Sequence, residues 1–205
     1  MRLSDLRARQ LIDAAMDEFL GKGFRRGSIE NIARVTGVGK ATIYRHFTDK
    51  NGMFQAAVLA EIERLETPPY DFGARSEPPA EILQDFALQA LELFCRERSL
   101  ILHRMIIEAG HVFPVLAQAV HDRLTEWSLG PLKAYLAELA DKGVIEIGDI
   151  DWAAHQLVNL ATHGILFLMT PPPTDAAARR ALAAEAIALF LRGAPAIRPP
   201  APSRA

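Results

Sequence analysis

Residues 28–50 read SIENIARVTGVGKATIYRHFTDK, and the fold follows from how this stretch must turn. Ser28 can cap a helix, because its hydroxyl accepts from a backbone N–H left unpaired in the first turn. Ile29, Ile32, Ala33 and Thr36 then recur at helical spacing, with Ile29, Ile32 and Ala33 as an apolar stripe. Gly37 ends the run, since glycine takes a left-handed conformation at no steric cost. Val38 falls in the turn, where an apolar side chain can pin two helices together. A second helix is predicted over about residues 40–47. The pattern is a helix-turn-helix.

At about 100° per residue the faces of that second helix can be assigned. Ile43 and Phe47 fall together and point inward. Ala41, Thr42 and Arg45 point outward, Tyr44 and His46 flank them, and Lys40 stands at the leading end. Small outward residues allow close approach to a major groove, a threonine methyl can meet a thymine methyl, and arginine pairs with guanine. Lys40, Ala41, Thr42 and Arg45 are therefore the expected base-reading set. Ser28, Tyr44, His46 and Lys50 are expected at phosphates. The competing reading is an ordinary helical hairpin with a solvated basic face. Glycine turn, outward set and bracketing lysines together favour DNA.

On these residues the chain resembles TetR-type transcriptional regulators. The run GVGKATIYRHFTDKNGMF is similar to that family's recognition helix and the helix start after it, with Gly37, Val38, Tyr44, Phe47 and Lys50 at the matching positions. The likeness extends upstream through Ala14, Phe19, Gly23 and Phe24. Gly39 stands where a serine usually caps the recognition helix, and Ala41 where glycine is frequent. Asn51 and Gly52 replace better helix formers. These departures imply a looser start to the recognition helix and a weak first turn in the helix beginning at Lys50. The later run EAGHVFPVLAQ and the last two helices are similar, more loosely, to TetR-family ligand-binding domains.

The 205 residues suffice for one generous domain or two small ones, and half of them are apolar. Aromatics make up only 7%, so the core must rest largely on leucine, isoleucine and alanine. Net charge is −2, but residues 1–55 carry ten Lys/Arg against six Asp/Glu, and the remainder thirteen against nineteen. A basic head on an acidic body suits a polyanion at one end. Cys95 is the only cysteine, which excludes an intramolecular disulfide and suggests a reducing compartment. The N-terminus has charges at Arg2, Asp5, Arg7 and Arg9 and no apolar signal-peptide core. The longest apolar run toward the C-terminus, residues 165–169, is too short to span a bilayer. A soluble cytoplasmic protein is expected.

An all-α chain of about nine helices is expected: a three-helix head joined to a larger helical regulatory domain. Ser4 or Asp5 can cap a first helix to about Leu20, stopped by Gly21 and Gly23. Arg25 and Arg26 follow in a loop, either as DNA contacts or as solvated charges. A fourth helix runs from Lys50 to about Glu66, then a proline-rich loop to Pro79. The fifth covers about residues 80–96, and Ser99 caps a sixth to Ala109. The seventh opens at Pro114 and meets Gly130-Pro131, which should kink or break it. Asp149 caps an eighth to about Met169, and Thr174 or Asp175 starts an alanine-rich ninth to about Arg192. The expected domains are 1–49 for DNA binding, 50–192 for ligand binding and dimerisation, and a disordered tail over 193–205.

No HExxH, CxxC, phosphate-binding glycine loop or GxSxG is present in the sequence. A helical enzyme or a DNA-architectural protein is disfavoured by the missing catalytic pattern and the acidic body. His103 and His111 near Glu108 make a metal site conceivable, yet hydrogen-bonded surface histidines are commoner; no metal or cofactor is expected. The expected ligand pocket draws on Phe86, Leu91, Phe94, His103, Met105, His111, Trp127, Tyr135, His163 and Phe167, a mostly apolar wall suited to a hydrophobic or aromatic molecule. One recognition helix reads few bases, so a homodimer on a palindromic operator is expected. The family resemblance implies a seam on the last two helices, at Leu160, Gly164, Phe167, Leu182, Ala186, Leu189 and Phe190. The function so expected is a repressor released from double-stranded DNA by a small molecule, with an activator or an effector-free regulator as the alternative.

Overall fold

In a computed structural model the described residues are 5–65, 70–73, 75–164 and 166–193. They form helices only: α1 (Asp5–Arg26), α2 (Ile29–Thr36), α3 (Lys40–Phe47), α4 (Lys50–Leu65), α5 (Pro79–Phe94), α6 (Glu97–Ala109), α7 (Pro114–Asp141), α8 (Ile150–Thr162), α9 (Leu166–Met169) and α10 (Ala176–Gly193). The all-α expectation holds. The tail from residue 194 and the side chain of Trp127 lie outside the described residues.

Four local readings need correction. Gly23 ends the regular part of α1 (φ 75°, ψ 164°), but one more turn follows to Arg26 instead of a loop. Ser99 does not cap α6, which opens two residues earlier at Glu97. Cys95 N–H still bonds to Leu91 O, so α5 closes in a tight turn that leaves no room for a separate cap. Gly130-Pro131 does not interrupt α7, which carries Pro131 inside it. The expected eighth helix is two pieces: His163 (φ 54°) and Gly164 (φ 50°) turn left-handed between α8 and α9, and the His163 ring stacks on Phe167 at 5.1 Å. Ten elements thus replace about nine.

The chain divides into two compact units, residues 1–68 with 97–124, and residues 69–96 with 125–205. In the first unit α1 packs against α2, α4 and α6. Leu11, Ala15, Met16 and Phe19 of α1 bury against Ile32, Ile43, Met53, Phe54, Val58, Leu102 and Met105. Phe54 meets Phe19 edge-on at 5.2 Å, and Phe24 meets Phe113 edge-on at 5.1 Å, the favoured aromatic geometry. Charged groups tie the same helices at the rim. Glu61, buried on α4, takes the Arg98 guanidinium of α6, which also reaches Asp17 of α1 at 2.9 Å. Arg98 is consequently held more firmly protonated than usual, chiefly by its bonds to Glu61.

In the second unit α5, α8 and α10 pack together. The proline-rich loop contributes two rings to that core: Phe72 stacks on Tyr135 at 4.7 Å, and Tyr70 meets Phe86 edge-on at 5.5 Å. Tyr70 also donates to Asp85 at 2.9 Å, and burial, reinforced by that carboxylate, pushes its hydroxyl pKa well above the usual range.

Candidate nucleic-acid interface

Three local devices build the helix-turn-helix. Ser28 caps α2, its Oγ accepting from Asn31 N–H at 3.3 Å. Gly37 closes α2 at φ 66°, the left-handed turn its sequence position demanded. Gly39 opens α3 with no side-chain cap, its carbonyl accepting from Thr42 N–H at 2.9 Å. Ile43 is fully buried and Phe47 partly so, which anchors α3 by one face. The opposite face is presented: Lys40, Ala41, Tyr44, Arg45 and His46 are exposed and Thr42 is half-buried. Tyr44 is exposed at 43%, unusual for a ring with apolar area to bury, and the His46 ring sits edge-on to Phe47 at 5.2 Å.

The joint after α3 is tight. Thr48 takes φ 65°, ψ −56°, with Asp49 N–H bonding to Phe47 O at 2.6 Å, a γ-turn that a β-branched residue adopts only under strain. Asp49 Oδ1 then accepts from Gly52 N–H at 2.8 Å and caps the start of α4. A Cβ at position 52 would overlap the Phe47 carbonyl. Gly52, expected to weaken α4, is what lets α4 begin so close to the end of α3.

Several expected contact groups have partners within the protein. Lys50 donates to the Arg25 carbonyl at 3.0 Å and lies 4.9 Å from the centre of the Phe24 ring, so it closes the last turn of α1. Lys40 pairs with Glu30 at 2.6 Å, and Ser28 Oγ donates to the other Glu30 oxygen at 3.0 Å. Those bonds, the Lys40 one foremost, hold the Glu30 carboxyl at a pKa of about 2. Arg25 and Arg26 are exposed.

Glu18 is a positioning group that sequence reading missed. Buried Glu18 accepts from Asn31 Nδ2 at 2.6 Å, Ser28 N–H at 3.1 Å and Lys22 at 2.9 Å, which docks the start of α2 on α1. Burial pushes its carboxyl up, but those three donors together leave it below its ordinary value. An acidic residue on the apolar side of α1 was the available signal. Gly27 belongs with it, since a Cβ there would press into the Phe19 ring.

The expected pocket residues do not come from one unit. His103, Met105 and His111 belong to the first; Phe86, Leu91, Phe94, Tyr135, His163 and Phe167 to the second. Met105, Phe86, Leu91, Tyr135 and Phe167 are buried, Phe94, His103 and His163 partly so, and His111 is exposed. His103 Nδ1 lies 2.7 Å from Ser99 O, and burial holds its imidazole below the usual pKa. Among the described residues no group of three or more His, Cys, Asp or Glu side chains is placed to hold a metal ion. Of the expected seam, Ala186, Phe190 and Phe167 are buried, Leu160, Gly164 and Leu182 are half-buried, and Leu189 is 55% exposed. Trp152, at 64%, and Met169, at 78%, are exposed without having been singled out.

A three-helix head that anchors one helix by a single face and presents its polar face defines a helix-turn-helix DNA-binding transcriptional regulator. The chain belongs to the TetR family. Residues 11–57 match the family's bacterial regulatory N-terminal domain, and residues 81–193 match the C-terminal domain of AefR-like transcriptional repressors. A TetR-family regulator from Mesorhizobium loti superposes with a TM-score of 0.76 at 26% identity, covering 92% of this chain and 96% of that one. The flavonoid-responsive regulator FrrA superposes at 0.74 with 28% identity, over 95% of this chain and all of that one. The Bacillus subtilis HTH-type regulator YvkB is 27% identical over 149 residues, 69% of this chain and 71% of its own length. Among the described residues no helix is long and apolar enough to cross a membrane.

Proposed function

We propose that this regulator is a homodimeric repressor that binds a palindromic operator and is released by a hydrophobic or aromatic small molecule. The observation that carries the reading is α3: Ile43 is buried while Ala41, Arg45 and their flanking polar residues stand outward. Ala41, Thr42 and Arg45 then read base edges, and Ser28, Lys40, Tyr44, His46 and Lys50 meet phosphates. A single eight-residue helix covers few base pairs, so two heads are needed for useful specificity.

The repressor sense is supported by the likeness of residues 81–193 to AefR-like repressors, and an aromatic effector by the likeness to a flavonoid-responsive regulator. Phe72, Phe86 and Tyr135 supply flat apolar walls of the matching kind. Trp152, Leu166, Met169 and Leu189 are large exposed apolar groups on α8, α9 and α10, and they are the area a partner copy covers. Selection on random duplex DNA tests the reading, followed by a screen of aromatic compounds on the selected site. A palindrome bound by a dimer and released by such a compound is expected. A selected site without two-fold symmetry, or sedimentation as a monomer at micromolar concentration, defeats it.

A further inference from the structure

Two donors at the start of the helix-turn-helix converge on one carboxylate. Glu30 accepts from the Lys40 ammonium at 2.6 Å and from the Ser28 hydroxyl at 3.0 Å. A hydroxyl and an ammonium are donors of the kind that protein–DNA interfaces direct at a backbone phosphate. We propose that Glu30 occupies a phosphate seat in the free protein and competes there with DNA, lowering the sequence-independent part of its affinity. The inference rests on the DNA-binding reading above and deepens it.

The competitor is built to leave. Glu30 and Lys40 are both well exposed, at 62% and 51% of their side chains, so a carboxylate rotation empties the seat without disturbing the core. The α2 cap survives that rotation, because Asn31 N–H bonds to Ser28 Oγ and Ser28 N–H to Glu18. A phosphate entering the seat takes over Lys40, and the displaced Glu30 is left unpaired and regains a cation from solution. That uptake offsets part of the counterion release on which phosphate contacts depend. Acting on phosphate contacts alone, the carboxylate weakens binding to every sequence by the same factor and reads no base.

Glu30→Gln keeps the size of the side chain and removes its charge. Measured by fluorescence anisotropy across a salt series, the variant should bind the selected operator and a random duplex more tightly by the same factor. An exposed ion pair sets that factor at about two- to fivefold per head, and the salt slope should steepen by up to about one per head. The gain should fall by more than half when the same change is made in a Lys40→Gln background, which separates the seat from a general change in charge. Unchanged affinity and slope, or an equal gain in the Lys40→Gln background, overturns the proposal. So does an altered base preference, which would make Glu30 a reader of cytosine N4. Thermal melts of each variant check that the head stays folded. A wild-type protein that binds no duplex defeats the DNA-binding reading itself, an outcome distinct from a wild type that binds and a variant that gains nothing.

Discussion

In the first unit the candidate contact residues stand outside a core that is complete without them; in the second the candidate ligand wall is the core. Ile43 fills space beneath α3 while Arg45 and Tyr44 project from its far side. Around Tyr135, by contrast, Phe72, Tyr70 and Phe86 already pack on one another. A site on an anchored helix can be read from the helical period. A site among buried rings cannot, because a ring lining a pocket and a ring filling a core obey the same preference for burial.

The largest expected effects come from truncating one ring in each unit. Phe54→Ala and Phe86→Ala should each cost about 3–5 kcal/mol in chemical denaturation, since both leave cavities in close-packed aromatic clusters. What survives should differ. Folded Phe86→Ala dimers should keep their DNA affinity and change the effector concentration that releases them, whereas Phe54→Ala should lose DNA affinity with the head. If folded Phe86→Ala dimers release DNA at the wild-type concentration, the wall around Tyr135 is plain core and the comparison breaks.

Gly52→Ala probes the joint between recognition helix and α4. Its Cβ must push the Phe47 carbonyl away, at about 1–3 kcal/mol of stability, and should weaken operator binding beyond what the loss of stability explains. Wild-type stability and affinity in this variant would mean the joint is slack. Arg45→Ala should relax preference at one position per half-site, costing about 1–3 kcal/mol of discrimination there. An unchanged selected sequence removes Arg45 from the reading set and weakens the case for an outward reading face.

The smallest effect is a pH slope. Burial lowers the His103 pKa, so the unfolded chain takes up a proton below about pH 6.5 that the folded protein declines. Stability from this group is complete above that pH and drains away as the pH falls toward the lower folded value, by at most about 1.4 kcal/mol per pH unit. His103→Gln should flatten that segment of the stability curve. A slope identical to wild type would place the acid sensitivity elsewhere.

The elements were legible wherever a local signal decides the backbone. The Ser28 cap, the left-handed Gly37 turn, the Asp149 cap on Trp152 N–H and the start of α10 beneath Asp175 depend on neighbours within a few residues. Errors arose where a local signal competed with a nearby contact. Ser99 has the chemistry of a cap but lies buried inside α6, its Oγ without a hydrogen-bond partner among the described residues. His163 sits in an apolar helical run, and nothing in that periodicity announces that its ring will stack on Phe167 and turn the chain.

Sequence alone determined the all-α class, the turn between α2 and α3, which residues of α3 face outward, and the likeness that placed the chain in its family, because helical faces and caps follow from spacing. Only the tertiary structure decided what those exposed groups hold before DNA arrives and which helices share a core. Glu30 meets Lys40 across ten residues, Lys50 reaches the Arg25 carbonyl across twenty-five, and Arg98 joins Asp17 across eighty-one. Such pairs form only once packing has brought separate helices together, and no periodicity along the chain records which charges will then be neighbours.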